Sequence, residues 1–236
     1  MALGGVDIDA VLLDGLGTLV ELEPPWPRLV ERLRDAYGVE LSPTDAERAF
    51  RAEIAYYRTH HHEGRDPGTL EDLRRRCAEI LRAQLPPQAA EALSVEQLGA
   101  AMLESLRFDT YPDVPAALTR LRARGLTLVV VSNWDISLPA VLRNVGLEEM
   151  VDGVVTSAEV GRPKPATEIF TAALALAGCP PERAVHVGDS LTQDIRGALA
   201  AQIRAALLCR DDAEPGELPP GVPCISSLAQ LPSLLG

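Results

Sequence analysis

Short apolar runs bounded by turn formers alternate along most of this chain with segments of helical periodicity. Residues 10–13, Ala-Val-Leu-Leu, are apolar at every position, as in a strand buried on both faces of a parallel sheet. Comparable runs occupy 126–131, 154–155, 184–187 and 205–208, and 222–225 predicts a short last strand. Between them the pattern predicts helices over 113–124, 136–145, 166–177, 191–201 and 227–235. Gly125, Gly146 and Gly178 stand where the first three should stop. Residues 21–107 read differently, as helix after helix without a convincing strand. Pro27 and Gly38 bracket one helix, and Ser42-Pro43 opens a second that runs to about residue 61. A third over 68–85 is closed by Pro86-Pro87, and Ser94 with Gln97 forms a capping box for a fourth to about residue 106. Strands alternating with helices predict an α/β fold, a doubly wound parallel sheet, with an all-helical domain inserted after the first strand. The expected division is a core of 1–20 and 108–236 and an insertion of 21–107. The proline-rich stretch 215–223 reads as a surface loop.

In such a sheet ligands bind beyond the carboxyl ends of the strands. Four polar clusters stand at those ends. Asp14 follows the first strand, within Asp14-Gly15-Leu16-Gly17-Thr18-Leu19. Ser132-Asn133 follows the second, and Lys164 lies in Gly161-Arg162-Pro163-Lys164-Pro165 after the third. Gly188-Asp189-Ser190 follows the fourth, with Asp194 five residues beyond Asp189. A carboxylate can act as a covalent nucleophile. Asp14 with Asp189 offers a hard Mg2+ oxygen ligands, Ser132 offers a hydrogen bond to a phosphoryl oxygen, and Lys164 offers a positive charge.

Composition narrows the partners. Of 236 residues 22 are Lys or Arg and 34 are Asp or Glu, a formal net charge of −12 that disfavours nucleic acid and anionic membrane surfaces. Hydrophobic residues make up 47% and aromatics only 4%, so a core must be built mainly from Leu, Val, Ile and Ala. The start lacks a basic region followed by an apolar core, and no apolar run reaches a bilayer's span. A cytoplasmic protein is expected. Cys77, Cys179, Cys209 and Cys224 show no zinc-like spacing and read as buried free thiols. His60-His61-His62 reads as a solvated helix end, since consecutive helical side chains diverge. His186, inside a strand, reads as a packed core histidine. Trp26 and Trp134 read as core packing near the junction between insertion and core.

The four clusters, in this order at strand ends, resemble the motifs of the haloacid dehalogenase superfamily. The resemblance spans about residues 6–213 and matches 21–107 to that family's inserted helical cap on a Rossmann-like core. It implies a Mg2+-dependent hydrolase, most simply a phosphatase of a small phosphorylated metabolite. Asp14 would be nucleophile and metal ligand, and the Leu16 carbonyl, Asp189 and Asp194 further ligands. Ser132, Asn133 and Lys164 would hold the transferred group, with Thr18 supporting the turn and contributing to substrate binding. Monomer and homodimer stay open.

One position departs from the pattern. The family's phosphatases usually carry a second aspartate two residues after the nucleophile, where this chain has Leu16. Leucine can neither protonate a leaving oxygen nor activate water, and losing a general acid–base costs roughly 10²–10⁴ in rate. The family's 2-haloacid dehalogenases also lack that aspartate, because a halide leaves without a proton. Gly188-Asp189-Ser190 is similar to the metal-binding form of the phosphatases. The alternatives are therefore a dehalogenase-type hydrolase or a binding protein that has lost turnover. Ser132-Asn133-Trp134-Asp135 is also similar to a branch of the superfamily that can lack the second aspartate, which makes Asp135 a candidate substitute proton donor.

Overall fold

The computed structural model describes residues 7–210 and 216–235. Residues 1–6, with the start of the chain and the first residue of the resemblance, lie outside them. So do 211–213 at its far end and Pro215 at the head of the proline-rich loop.

In chain order the strands are β1 (Ala10–Leu13), β2 (Val20–Leu22), β3 (Phe108–Thr110), β4 (Thr127–Ser132), β5 (Gly153–Thr156), β6 (Ala184–Gly188), β7 (Arg204–Leu208) and β8 (Cys224–Ile225). Six of them form one sheet in the order β5-β4-β1-β6-β7-β8, with every pairing parallel. β1 lies at its centre, and Leu13 faces Val130 on one side and Val187 on the other. All four of its side chains are fully buried, which is why the segment is apolar without alternation. The chain winds from β1 through β4 to the β5 edge, then crosses back to β6, β7 and β8. The carboxyl ends beside β1 are thus a topological switch point.

The chain divides into two compact units, residues 1–21 with 110–236 and residues 22–109. In the first, Leu12, Val129, Val131, Ala205 and Leu207 on one sheet face pack with Ile169, Phe170 and Ala173 of the helix Thr167–Ala177. Each Leu, Val, Ile or Phe side chain among them contributes roughly 1.5–3 kcal/mol by leaving water. The other unit contains α1 (Trp26–Tyr37), α2 (Pro43–His60), α3 (Pro67–Ala83), α4 (Pro87–Ala92) and α5 (Val95–Ser105). Its core gathers Leu29, Leu33, Phe50, Leu73, Leu81 and Leu98. Ser42 caps α2, and reciprocal capping boxes at Asp66–Thr69 and Ser94–Gln97 open α3 and α5.

Several expectations are corrected. β2 and β3 pair in a separate two-stranded ribbon that periodicity could not reveal, since three residues carry too little pattern. Pro86-Pro87 does more than close α3, because Pro87 occupies the first turn of α4, where a missing N–H costs nothing. His61 is not solvated but 5% exposed, and His60 stacks on Tyr56 with ring centroids 3.9 Å apart. Of the cysteines only Cys77 is buried; Cys179 and Cys209 are partly exposed and Cys224 is exposed. The sulfurs of Cys209 and Cys224 lie 2.9 Å apart, because β7 and β8 run side by side at their carboxyl ends. Burial, with the Cys224 thiol against it, pushes the Cys209 thiol up to about 11.

Glu53 is a carboxyl on α2 that is only 7% exposed. Burial pushes it up to about 7, opposed by a hydrogen bond with the Cys77 thiol. Below the unfolded value of 4.5 both states hold the proton and nothing is lost. As pH rises from there towards 7 the unfolded chain ionises first, so folding loses about 3 kcal/mol. Glu53→Gln should remove that decline and unfold at higher urea concentration than wild type at about pH 8. Equal midpoints at both ends of the range would show that Glu53 is not held neutral.

Candidate active site

The Asp14 amide donates to the Val187 carbonyl at 2.9 Å, so the residue still belongs to the sheet when the chain turns away. The Gly15 carbonyl then accepts from the amides of Thr18, Leu19 and Val20 at 3.3, 2.8 and 3.0 Å, closing a tight turn. Gly17 has φ +88°, and a Cβ there would fall 2.1 Å from an Asp189 carboxylate oxygen. A Cβ on Gly15 would fall 2.9 Å from Ser132 Oγ. The two glycines therefore let side chains from β4 and from the end of β6 close on the turn.

Ser132, the last residue of β4, donates from Oγ to Asp14 Oδ1 at 3.3 Å. Asn133 grips the backbone of Lys164. Its Oδ1 accepts from the Lys164 amide at 2.7 Å, and its Nδ2 donates to the Lys164 carbonyl at 3.0 Å. The Lys164–Pro165 peptide is cis. Lys164 is 3% exposed, and its Nζ donates to Asp14 Oδ1 at 2.5 Å and to Asp194 Oδ1 at 2.6 Å. Asp194 sits on a π-helical turn, Leu191–Arg196, capped by Ser190 Oγ. Wide turns of this kind occur often at functional sites. The Ser190 amide donates to Asp194 Oδ2 at 2.9 Å. Gly188 is required here, because a Cβ would lie 2.2 Å from the Asp194 carboxyl carbon.

Carboxylate oxygens of Asp14, Asp189 and Asp194 lie within 4.8 Å of one another. Asp14 and Asp194 are buried and Asp189 is exposed. Burial pushes Asp14 up to about 6, with Lys164 opposing and Asp194 and Asp189 adding to the rise. Burial also works to raise Asp194, but the Lys164 charge and the His186 hydrogen bond hold it below the usual carboxylate range. Burial lowers Lys164, and its two carboxylate partners more than offset that, so it stays charged. One ammonium thus stands among three carboxylates. An oxygen-only donor set with excess negative charge suits a hard divalent cation. The carbonyls of Gly15, Gly17 and Thr18 all accept hydrogen bonds, while among the described residues the Leu16 carbonyl accepts none.

All the residues singled out from sequence at strand ends converge, but not all in the expected way. Asn133 holds Lys164 in place. Thr18 is fully buried, and its Oγ1 has no partner among the described residues. Asp135 is 4% exposed and accepts from the Ser137 amide at 2.7 Å, which turns the chain into the helix Leu138–Asn144. Trp134 is 6% exposed in this unit, while Trp26 packs on the core of the helical unit. His186 is indeed fully buried, edge-on to Phe170, but its Nε2 also lies 3.0 Å from Asp194 Oδ1. Nothing in a buried strand marks a histidine as the neighbour of a carboxylate eight residues on.

The haloacid dehalogenase-like hydrolase family matches residues 8–202. The human haloacid dehalogenase-like hydrolase domain-containing protein 3 is 32% identical over 198 residues, covering 81% of this chain and 78% of its own. The glyceraldehyde 3-phosphate phosphatase of Methanothermobacter thermautotrophicus is 37% identical over 133 residues, 53% of this chain and 58% of its own. Among solved structures, a phosphatase of the same superfamily from Thermococcus onnurineus aligns with TM-score 0.67 at 26% identity, over 97% of this chain and 98% of that one. No described helix is long and apolar enough to cross a membrane. With the Asp14 turn, the lysine and the acidic cluster on one switch point of a parallel sheet, this chain belongs to the haloacid dehalogenase-like hydrolases.

Proposed function

We propose that this hydrolase is a Mg2+-dependent phosphatase of a small phosphorylated metabolite and forms an aspartyl-phosphate on Asp14. The observation that carries the reading is the contact of Lys164 Nζ with both Asp14 and Asp194, beside a third carboxylate within 4.8 Å. Asp14, the Leu16 carbonyl, Asp189 and Asp194 would hold the ion, which when bound supplies charge neutralisation for an anionic substrate beside an anionic nucleophile. Asp14 attacks phosphorus, an Asp14–phosphoryl bond forms, and the bond to the leaving oxygen breaks. Lys164 and Ser132 stabilise the charge that develops on the phosphoryl oxygens. Residues 1–20 and 108–236 act as the core, and 21–107 as a cap that excludes water and sets specificity. Water then cleaves the aspartyl-phosphate and returns Asp14. The test is phosphate release from a panel of phosphorylated metabolites, in Mg2+ and in EDTA. Release that needs Mg2+ supports the reading. Halide release from 2-halo acids in EDTA would replace it with the dehalogenase reading. Tight binding of a phosphate analogue without any turnover would replace it with a binding role.

Leu16 has a kinetic consequence. Without an acid beside the leaving oxygen, the first step should favour leaving groups that depart as stable anions. Leu16→Asp should raise turnover of alkyl phosphates by roughly 10²–10⁴ and flatten the dependence on leaving-group acidity across an aryl phosphate series. An unchanged slope would place the proton donor elsewhere, with Asp135→Asn as the next variant.

A further inference from the structure

The turn that carries Asp14 is gripped from outside by a side chain that none of the four motifs contains. Arg210 lies two residues past β7. Its Nε donates to the Gly17 carbonyl at 3.2 Å and one Nη to the Thr18 carbonyl at 2.6 Å. The other Nη donates to Asp113 Oδ1 at 2.9 Å. The guanidinium carbon lies 3.7 Å from the centre of the Tyr111 ring, a close stack. Asp113 is itself fixed, its Oδ2 accepting from Ser227 Oγ and from the Leu228 amide, each at 2.7 Å. Burial works to raise Asp113, but these bonds and the Arg210 charge hold it below the usual carboxylate range.

Two carbonyls held by one planar fork fix two successive peptide planes. Those planes follow Leu16 directly, and Gly17 is the residue against which the Asp189 carboxylate packs. A shift of the turn therefore changes both the direction of the Leu16 carbonyl and the spacing of Asp14 from Asp189. A lysine offers one point charge and no fork, so it cannot hold both carbonyls and Asp113 in one plane.

We propose that Arg210 is a positioning residue, which through the Gly17 and Thr18 carbonyls sets the Asp14 turn for metal binding and phosphoryl transfer. The catalytic part rests on the phosphatase reading; the mechanical part does not. The experiment compares wild type, Arg210→Lys, Arg210→Met and Arg210→Ala. It measures amide hydrogen exchange of the peptide spanning residues 14–20 and Mg2+-dependent hydrolysis of p-nitrophenyl phosphate. Exchange in that peptide should rise about 10-fold or more in Arg210→Met while the sheet stays protected. kcat should fall about 10²-fold with KM within about twofold, because the turn is misplaced rather than the substrate pocket. Arg210→Lys should recover little, and guanidinium ion should partly restore Arg210→Ala. Exchange and kcat both within about twofold of wild type would overturn the proposal. So would a rise in exchange spread evenly over the sheet, which marks general loosening. If wild type hydrolyses nothing, the phosphatase reading fails alone, and unchanged exchange at 14–20 would then overturn the role of Arg210.

Discussion

Asp14→Asn should lower Mg2+-dependent phosphate release by on the order of 10⁴-fold or more, while leaving the metal-free protein more stable than wild type. The two effects have one cause. Asp14 is 6% exposed, and burial pushes its carboxyl up to about 6 from the ordinary 3.8. Below 3.8 the proton is held in both states and the site costs nothing. As pH rises towards 6 the unfolded chain ionises first, so folding stability falls and stays low above that value. At neutral pH an amide in place of the ionised carboxylate should return about 1–3 kcal/mol. The same substitution removes the carboxylate proposed to attack phosphorus. The measurement pairs phosphate release with thermal unfolding in EDTA at neutral pH. Retention of more than about one per cent of turnover would end the assignment of Asp14 as nucleophile, since a covalent route cannot survive loss of its nucleophile. A fall in stability would mean that Lys164 repays the burial of Asp14 in full.

Lys164→Met should have the largest effect on stability. The lysine is the single ammonium among three carboxylates and contacts two of them directly. Its removal leaves Asp14 and Asp194 buried without that charge, and breaking a buried pair from one side costs about 3–5 kcal/mol. Turnover should fall by roughly 10²–10³ as charge stabilisation on the phosphoryl group is lost. A second substitution separates this account from simple loss of packing. Adding Asp14→Asn to Lys164→Met should restore part of the lost stability, because one of the stranded charges disappears. Mg2+ should do the same in the single variant if the carboxylates bind it. A double variant less stable than Lys164→Met alone would contradict the electrostatic account.

Most of the sheet could be read from the sequence because its strands are buried on both faces. Ala10–Leu13 and the Leu128–Val131 stretch are continuous apolar runs, too short for a helix and flanked by turn formers. The convergence of Asp14, Ser132, Lys164, Asp189 and Asp194 could also be read, since parallel topology sends every strand's carboxyl end to one edge. What escaped was whatever depends on contacts distant in sequence. Arg210 looks like any surface arginine until the fold brings it to Gly17 and Thr18. Cys209 and Cys224 follow no motif spacing, yet neighbouring strands bring them together. Asn133 was readable as polar and near the site, but its use as a clamp on the Lys164 backbone was not.

The central place of β1 also governs the order in which this protein can assemble. Ala10 pairs with Thr127 on one side and Ala184 on the other, so the strand made first must wait for partners made much later. At a synthesis rate of ~5–20 residues per second, that wait is on the order of ten seconds or more. Throughout it four consecutive apolar residues have no sheet to enter. Residues 22–109 draw their core from within that stretch, all of which is made before β4. Pairings so distant in sequence are slow to form. The strand that leads into Asp14 is therefore completed only when β6 arrives, and a nascent chain stopped short of residue 184 carries Asp14, Ser132 and Lys164 but neither Asp189 nor Asp194.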